Sequence, residues 1–321
     1  MCYNLPMGEG GYAVAGDRSF TDYVRSRFLD DIYPAAEEYV AQNWEGLDLD
    51  LRNIHRVGGV AMSDMTIKFV SVSDLPDLKI EFDVVVDAEI EITEGDYHYD
   101  EYDICNQWLS IRCSGDLALN LDDFKITSIT PYQKGKMPKP LSDALVPYIY
   151  KEDLDKVAAD FLRKYYPEAL KKPMPLDPSK LAERMGLKVK IRDITEDLSI
   201  FGQIYFHDAN AEFYDSEADE LVNTSVKART IFVDPKAYFM RNLGAVNNTI
   251  VHECVHWDKH RKAFELERLY NADASRIRCE TVGGIKDGEK DATDWMEWQA
   301  NSLAPRIQMP LGTFKTKAFE L

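Results

Sequence analysis

His252-Glu253-Cys254-Val255-His256 is the segment of this 321-residue chain whose residue types and spacing could do chemistry. On a helix, two histidines four residues apart project from one face about a turn apart, so both imidazoles can reach a single metal ion. Glu253 then lies about 100° round the helix from His252, where its carboxylate can touch a metal-bound water without binding the metal. Cys254, about 200° round, points to the opposite side and reads as a small core residue rather than a ligand. The chemistry of such a set is hydrolysis. A protein-held zinc keeps one position for water, lowers that water's pKa to about 7 and polarises a carbonyl, while the glutamate carries the proton. The pattern arises by composition in roughly one chain in a hundred of this length, so its flanks matter. Thr249, Ile250, Val251 and Trp257 place it on a partly buried helix, where two hydrogen-bonded core histidines are the competing explanation.

Two histidines do not hold a catalytic zinc, and a third protein ligand must come from another element. His260, one further turn along, is excluded from the first sphere because three consecutive turns of a straight helix, each advancing about 5.4 Å, cannot converge on one ion. The motif helix is expected from about Pro235 to Lys262, and a last helix from about Thr293. Ahead of them, Glu152 to Tyr166 reads as a helix with Leu154, Val157, Phe161 and Leu162 on one stripe. Asp177-Pro178 opens a short helix through Met185 that Gly186 ends. Strands are expected at 187–192, 199–206 and 229–233, with an acidic loop or hairpin tip over 208–226.

The amino-terminal part has a different pattern. A helix from about Ser19 to Trp44 is marked by Val24, Phe28, Ile32, Ala35 and Tyr39, with Pro34 expected to kink or split it. From Glu81 to Ile92 the sequence alternates, Phe82, Val84, Val86, Ala88, Ile90 and Ile92 on one face and a mostly acidic set on the other. That period of two predicts a long strand between a core and water. Further strands are expected at 65–73, 107–114, 116–121 and 124–130. The fold class is therefore α+β: one helix across an antiparallel sheet, then a second domain. Three prolines and a basic cluster within 133–147 predict a linker, giving an acidic domain over 1–140, a linker over 141–147 and a second domain over 148–321.

Charge narrows the partners. The chain carries 38 basic and 56 acidic residues, and residues 1–147 alone hold 12 and 27 of them, so a phosphate backbone is repelled and a basic protein attracted. Met1 to Phe20 lack a basic start and an apolar core, and no apolar run nears the ~20 residues that cross a bilayer. Five cysteines without a CxxC pair argue for reduced thiols, and the expected location is cytoplasmic.

Downstream of the motif stands Glu297-Trp298-Gln299-Ala300-Asn301, followed by Met309-Pro310. His-Glu-x-x-His with Glu-x-x-Ala-Asn some forty residues later and a closing Met-Pro resembles the ImmA/IrrE-type metallopeptidases. The resemblance covers roughly residues 148–310 and extends to the order of the upstream elements, including Pro175-Leu-Asp-Pro178 and Thr230-Ile-Phe-Val233. It implies a zincin-like metallopeptidase domain with one Zn²⁺ per chain, Glu297 as third ligand, and Asn301, one turn on, supporting the site. It also implies a protein substrate, a regulatory protein such as a basic helix-turn-helix repressor. Cys254-Val255 departs from the family's small residues at those positions, Pro305 replaces an alanine and is expected to end a helical segment, and family members commonly continue further past Met-Pro than Leu321.

An oxyanion donor is not singled out; His207, Tyr205, His260 and Tyr270 are candidates. The substrate is expected to lie along an exposed sheet edge formed by 199–206 or 229–233. Asp96, His98 and Asp100 could bind a divalent cation at a hairpin tip, and 208–226 could cover the cleft. The leading reading is a zinc endopeptidase, constitutive or held latent. Its rival is a metal-stabilised, non-catalytic module that sequesters a protein partner, against which the retained Glu253 argues. The sequence does not set the oligomeric state.

Overall fold

The computed structural model describes residues 18–49, 51, 56–95, 100–135, 140–197, 199–236, 243–280 and 291–320. The chain is mixed α+β and divides into two compact units, one of residues 18–148 and one beginning at Ile149.

In the first unit, helix α1 (Phe20–Asn43) starts where the Ser19 hydroxyl accepts the Asp22 N–H at 3.0 Å. Its buried residues are Phe20, Val24, Phe28, Ile32, Ala36 and Val40. A row at strict intervals of four is inclined to the helix axis, so α1 lies obliquely across a twisted sheet. Pro34 does not break it. The ring is exposed, and so is Asp30, whose carbonyl loses its intrahelical donor and can turn to water.

That sheet is antiparallel, in the order β4 (Lys125–Pro131), β3 (Asp100–Asp116), β2 (Lys79–Gly95), β1 (Val57–Asp74), β5 (Pro140–Leu141). β2 buries Ile80, Phe82, Val84, Val86, Ala88, Ile90 and Ile92. On its other face Asp83 takes two hydrogen bonds from Arg112, at 2.8 and 3.0 Å, and Asp87 pairs with Lys68 at 3.0 Å. Register shifts at Val57/Gly59, Met62/Asp64 and Ile67/Phe69 let so long a pair of strands curl.

Two expectations fail here. The expected strand at 116–121 is absent beyond Asp116, which ends β3: its carboxylate accepts the Ala118 N–H, a 3-10 turn follows, and Asn120 and Leu121 adopt positive φ. The alternating Leu117, Leu119 and Leu121 imitate a period of two without being one. The linker is also folded structure. Pro140 and Leu141 pair with Ser73 and Val72, the Phe20 N–H donates to the Asp143 carbonyl at 2.8 Å, and Leu141, Leu145 and Val146 are buried. The boundary therefore falls at 148/149. The cation site proposed around Asp96 and His98 lies outside the described residues.

The second unit holds α2 (Leu154–Tyr165), α3 (Pro178–Arg184), α4 (Leu243–Lys259), α5 (Arg261–Tyr270), α6 (Ala292–Gln308) and α7 (Leu311–Glu320). Its sheet runs β11 (Arg276–Glu280), β7 (Ile200–Tyr205), β10 (Thr230–Val233), β6 (Lys188–Ile191); β10 and β6 are parallel, and β7 is antiparallel to both neighbours. The 208–226 stretch is a hairpin of β8 (Ala209–Asp215) and β9 (Glu220–Val226). Its Ala211, Phe213 and Val226 pack with Tyr205 and Phe232 in one apolar cluster, making the hairpin a layer of the fold. Among the described residues no helix is long and apolar enough to cross a membrane.

Candidate metal centre

Every residue of α4 from Ile250 to Trp257 is buried, as expected of a helix enclosed by β7, β10, α3 and α6. α6 begins in a capping box, with the Asp291 carboxylate accepting the Asp294 N–H at 2.7 Å. It buries Met296, Gln299, Ala300, Leu303, Ala304 and Ile307. Ala300 and Ala304 are small enough for α6 to close on α4, and that approach carries Glu297 to the histidines. α6 also passes through Pro305 to Gln308 unbroken, against expectation; the carbonyl four residues back belongs to exposed Asn301.

His252, His256 and Glu297 bring their ligating atoms together within 4.8 Å, the one such group among the described residues. The two Nε2 atoms are 2.9 Å apart, and Glu297 places one oxygen 3.3 Å from His252 Nε2 and the other 3.2 Å from His256 Nε2. Ligands at 2.0–2.1 Å around a tetrahedral ion stand about 3.3 Å from one another, and these separations are near that spacing, with a different carboxylate oxygen facing each imidazole. The donor set, two imidazoles and a carboxylate, could hold a divalent metal ion. His256 is fully buried and Glu297 is 23% exposed, so the centre is approached from the Glu297 side.

Burial alone would depress the His252 pKa; Glu297 beside it, then Glu253 and a hydrogen bond with Asn301, outweigh burial and raise it above its ordinary 6.5. Burial would likewise raise the Glu297 carboxyl, but His256 and His252 hold it well below the usual carboxylate range. The Cys254 thiol is pushed up by burial, with Glu253 and Asp258 adding to it, in keeping with a packing residue. His260 does not reach the ligand group: its Nδ1 lies 2.8 Å from His256 Nδ1 and its Nε2 lies 3.0 Å from Gln299 Oε1. Burial and the neighbouring His256 keep it neutral, well below 6.5.

Glu253 is fully buried and faces β7 at Gly202. A Cβ on Gly202 would stand 2.4 Å from Thr249 Cγ2 and 3.1 Å from Glu253 Oε1. Thr249 cannot swing aside freely, because its hydroxyl donates to the Ala245 carbonyl at 3.0 Å and its χ1 is stiff. Gly202→Ala is therefore expected to destabilise the fold by about 1–3 kcal/mol. Urea denaturation measures it, and Gly202→Ala with Thr249→Ser should recover most of the loss.

α4 is tied to α2 at its far end. Asp258 accepts the Tyr165 hydroxyl at 2.6 Å and pairs with Lys164 at 3.1 Å and Lys259 at 3.0 Å. Burial would raise the Asp258 pKa, but Lys259, Tyr165 and Lys164 together lower it below its ordinary 3.8. A lowered carboxyl stabilises the fold above its unfolded value and loses that contribution as pH falls through its folded value. Tyr165→Phe should cost about 1–3 kcal/mol at pH 7, and the gap to wild type should hold down to pH 3.8 and shrink below it. Thermal melts across that range would check both parts.

Of the oxyanion candidates, Tyr205 is ruled out. β7 alternates, so Gly202 faces α4 while Gln203 and Tyr205 face the β8–β9 hairpin, where the Tyr205 hydroxyl is bonded to Gln203 and Arg276 and the ring is fully buried. His207 stacks on Phe264 and is held by Glu265 at 2.8 Å and Arg268 at 3.0 Å. Tyr270 ends α5 and is 39% exposed. Neither expected edge strand is an edge: β7 and β10 are the two inner strands, and β11 and β6 are the outer ones among the described residues. Packed on the face away from α4, the 208–226 hairpin does not form a lid over the centre. His260 has both ring nitrogens engaged, by His256 and Gln299, and is no oxyanion donor; the roles of Gln299 and Gly202 need partners 39 and 51 residues away, which the sequence does not bring together.

The chain matches no known family model, no curated protein and no solved structure.

Proposed function

We propose that the chain is a zinc-dependent endopeptidase whose centre is His252, His256, Glu297 and Glu253. The observation that carries the reading is the convergence of two imidazole Nε2 atoms and a carboxylate within 4.8 Å of one another, with a second carboxylate on the residue next to the first ligand. A zinc ion held there would supply a Lewis acid that acidifies water and polarises a carbonyl. His252 and His256 present Nε2, and Glu297 brings the negative charge that partly neutralises the cation. Glu253, in a pocket closed by Gly202 and Thr249, takes the proton of the attacking water and returns it to the leaving amine. Asn301 orients His252.

The substrate reading is coarser: a protein with a basic, extended segment, drawn by the acidic first unit. The resemblance to ImmA/IrrE-type enzymes supports a helix-turn-helix repressor, and β11, the outer strand beside Gly202's strand among the described residues, is where such a segment would add. Incubating the zinc-loaded full chain with a panel of purified repressors and sequencing new amino termini tests this. Cleavage that a chelator abolishes is the expected result; binding without new termini would overturn the peptidase reading.

One observation favours the rival. His252, Glu253 and His256 are all buried, as they would be around a structural metal in a module that captures a partner without cutting it.

A further inference from the structure

Two groups beside the centre are not ligands, yet they are buried in line with one. Gln299 and His260 are 2% and 0% exposed. They continue from His256 in a single hydrogen-bonded row: His256 Nδ1 to His260 Nδ1 at 2.8 Å, then His260 Nε2 to Gln299 Oε1 at 3.0 Å. The row has a direction if its far end is a metal ligand. His256 can bind a cation through Nε2 only if its proton sits on Nδ1. His260 Nδ1 must then be the acceptor, which leaves the His260 proton on Nε2, where the Gln299 carbonyl oxygen receives it. Each step fixes the next, and the Gln299 carbonyl oxygen is the acceptor the row requires at that point.

We infer that His260 and Gln299 are positioning residues that lock the ligand His256 in its Nδ1–H tautomer, through a relay of two buried hydrogen bonds. This rests on the metal-centre reading. Metal-ligating histidines ordinarily give that proton to a carboxylate or a backbone carbonyl. A neutral imidazole in that place makes His256 electron-rich without adding a second negative charge beside Glu297. It also gives a role to a histidine that stands just past the end of α4, four residues beyond the ligand His256.

The test is made on the full chain with zinc. Long-range ¹⁵N–¹H spectra of protein labelled in its six histidines should show His256 protonated at Nδ1 and His260 protonated at Nε2 only. His260 protonated at Nδ1 overturns the relay, and this arm needs no variant. Zinc affinity by chelator competition is the second arm. His260→Leu, which fills the space without an acceptor, and Gln299→Leu should each weaken zinc by about 10–100-fold. His260→Asn, whose amide oxygen can take the place of Nδ1, should restore most of that loss. Equal affinities for His260→Leu and His260→Asn would overturn the relay and leave only packing. If wild type takes up no zinc, the centre falls and the relay with it; if His256→Ala loses zinc while His260→Leu keeps it, the relay alone falls.

Discussion

Replacing Glu297 by alanine is expected to empty the centre. Wild-type protein should carry about one zinc per chain by mass spectrometry, and the variant should lose affinity by more than about 100-fold. Two imidazoles remain, but the carboxylate that stands 3.2–3.3 Å from both Nε2 atoms is gone, and with it the negative charge that offsets the cation. The pH dependence adds a second readout. In metal-free protein, His252, with its pKa raised above 6.5, stabilises the fold below 6.5 and loses that contribution as pH rises through its folded value. Glu297, held low, stabilises the fold above 4.5 and loses its contribution only as pH falls through its folded value. The imidazolium–carboxylate pair therefore does most for the metal-free protein between pH 4.5 and 6.5. Protons compete with zinc for His252 across that same range. The difference in Tm with and without chelator should accordingly be small near pH 5.5 and grow toward pH 8, and in Glu297→Ala it should be near zero throughout. An unchanged zinc content in the variant would show that Glu297 is not a ligand.

Glu253→Gln should separate an enzyme from a binding module. The amide keeps the shape that fits against Gly202 and Thr249 but cannot take a proton, so zinc content and Tm should stay near wild type while turnover falls by about 10²–10⁴-fold. The measurement is cleavage of a repressor or unfolded basic protein under single-turnover conditions, with zinc content determined on the same preparation. A variant that still cuts at the wild-type rate would remove Glu253 from the mechanism. A wild type that retains a partner without cutting it, with retention unchanged in the variant, would make the module the better description.

Much of the architecture is legible in one dimension. The recurrence of Val24, Phe28 and Ile32 and the unbroken alternation of β2 each report which face of an element is buried, although past Pro34 the buried residues are Ala36 and Val40 rather than the expected Ala35 and Tyr39. The same reasoning puts His252 and His256 on one helical face, and their Nε2 atoms stand 2.9 Å apart. Those are properties of an element by itself, fixed by the pitch of its own backbone.

What the tertiary structure decided are relations between elements. Strand order is set by pairings between distant residues, so 199–206 and 229–233 could be assigned as strands but not as inner ones. Tyr205 was on the list of donors because a strand's alternation gives two faces without saying which meets the helix; the fit of Gly202 beneath Thr249 settles it. The proline-rich stretch before Tyr148 reads as a linker until Leu141 is seen paired with Val72. Local periodicity is written in consecutive side chains, whereas the metal centre and the row from His256 to Gln299 exist only where α6, forty residues on, packs against α4.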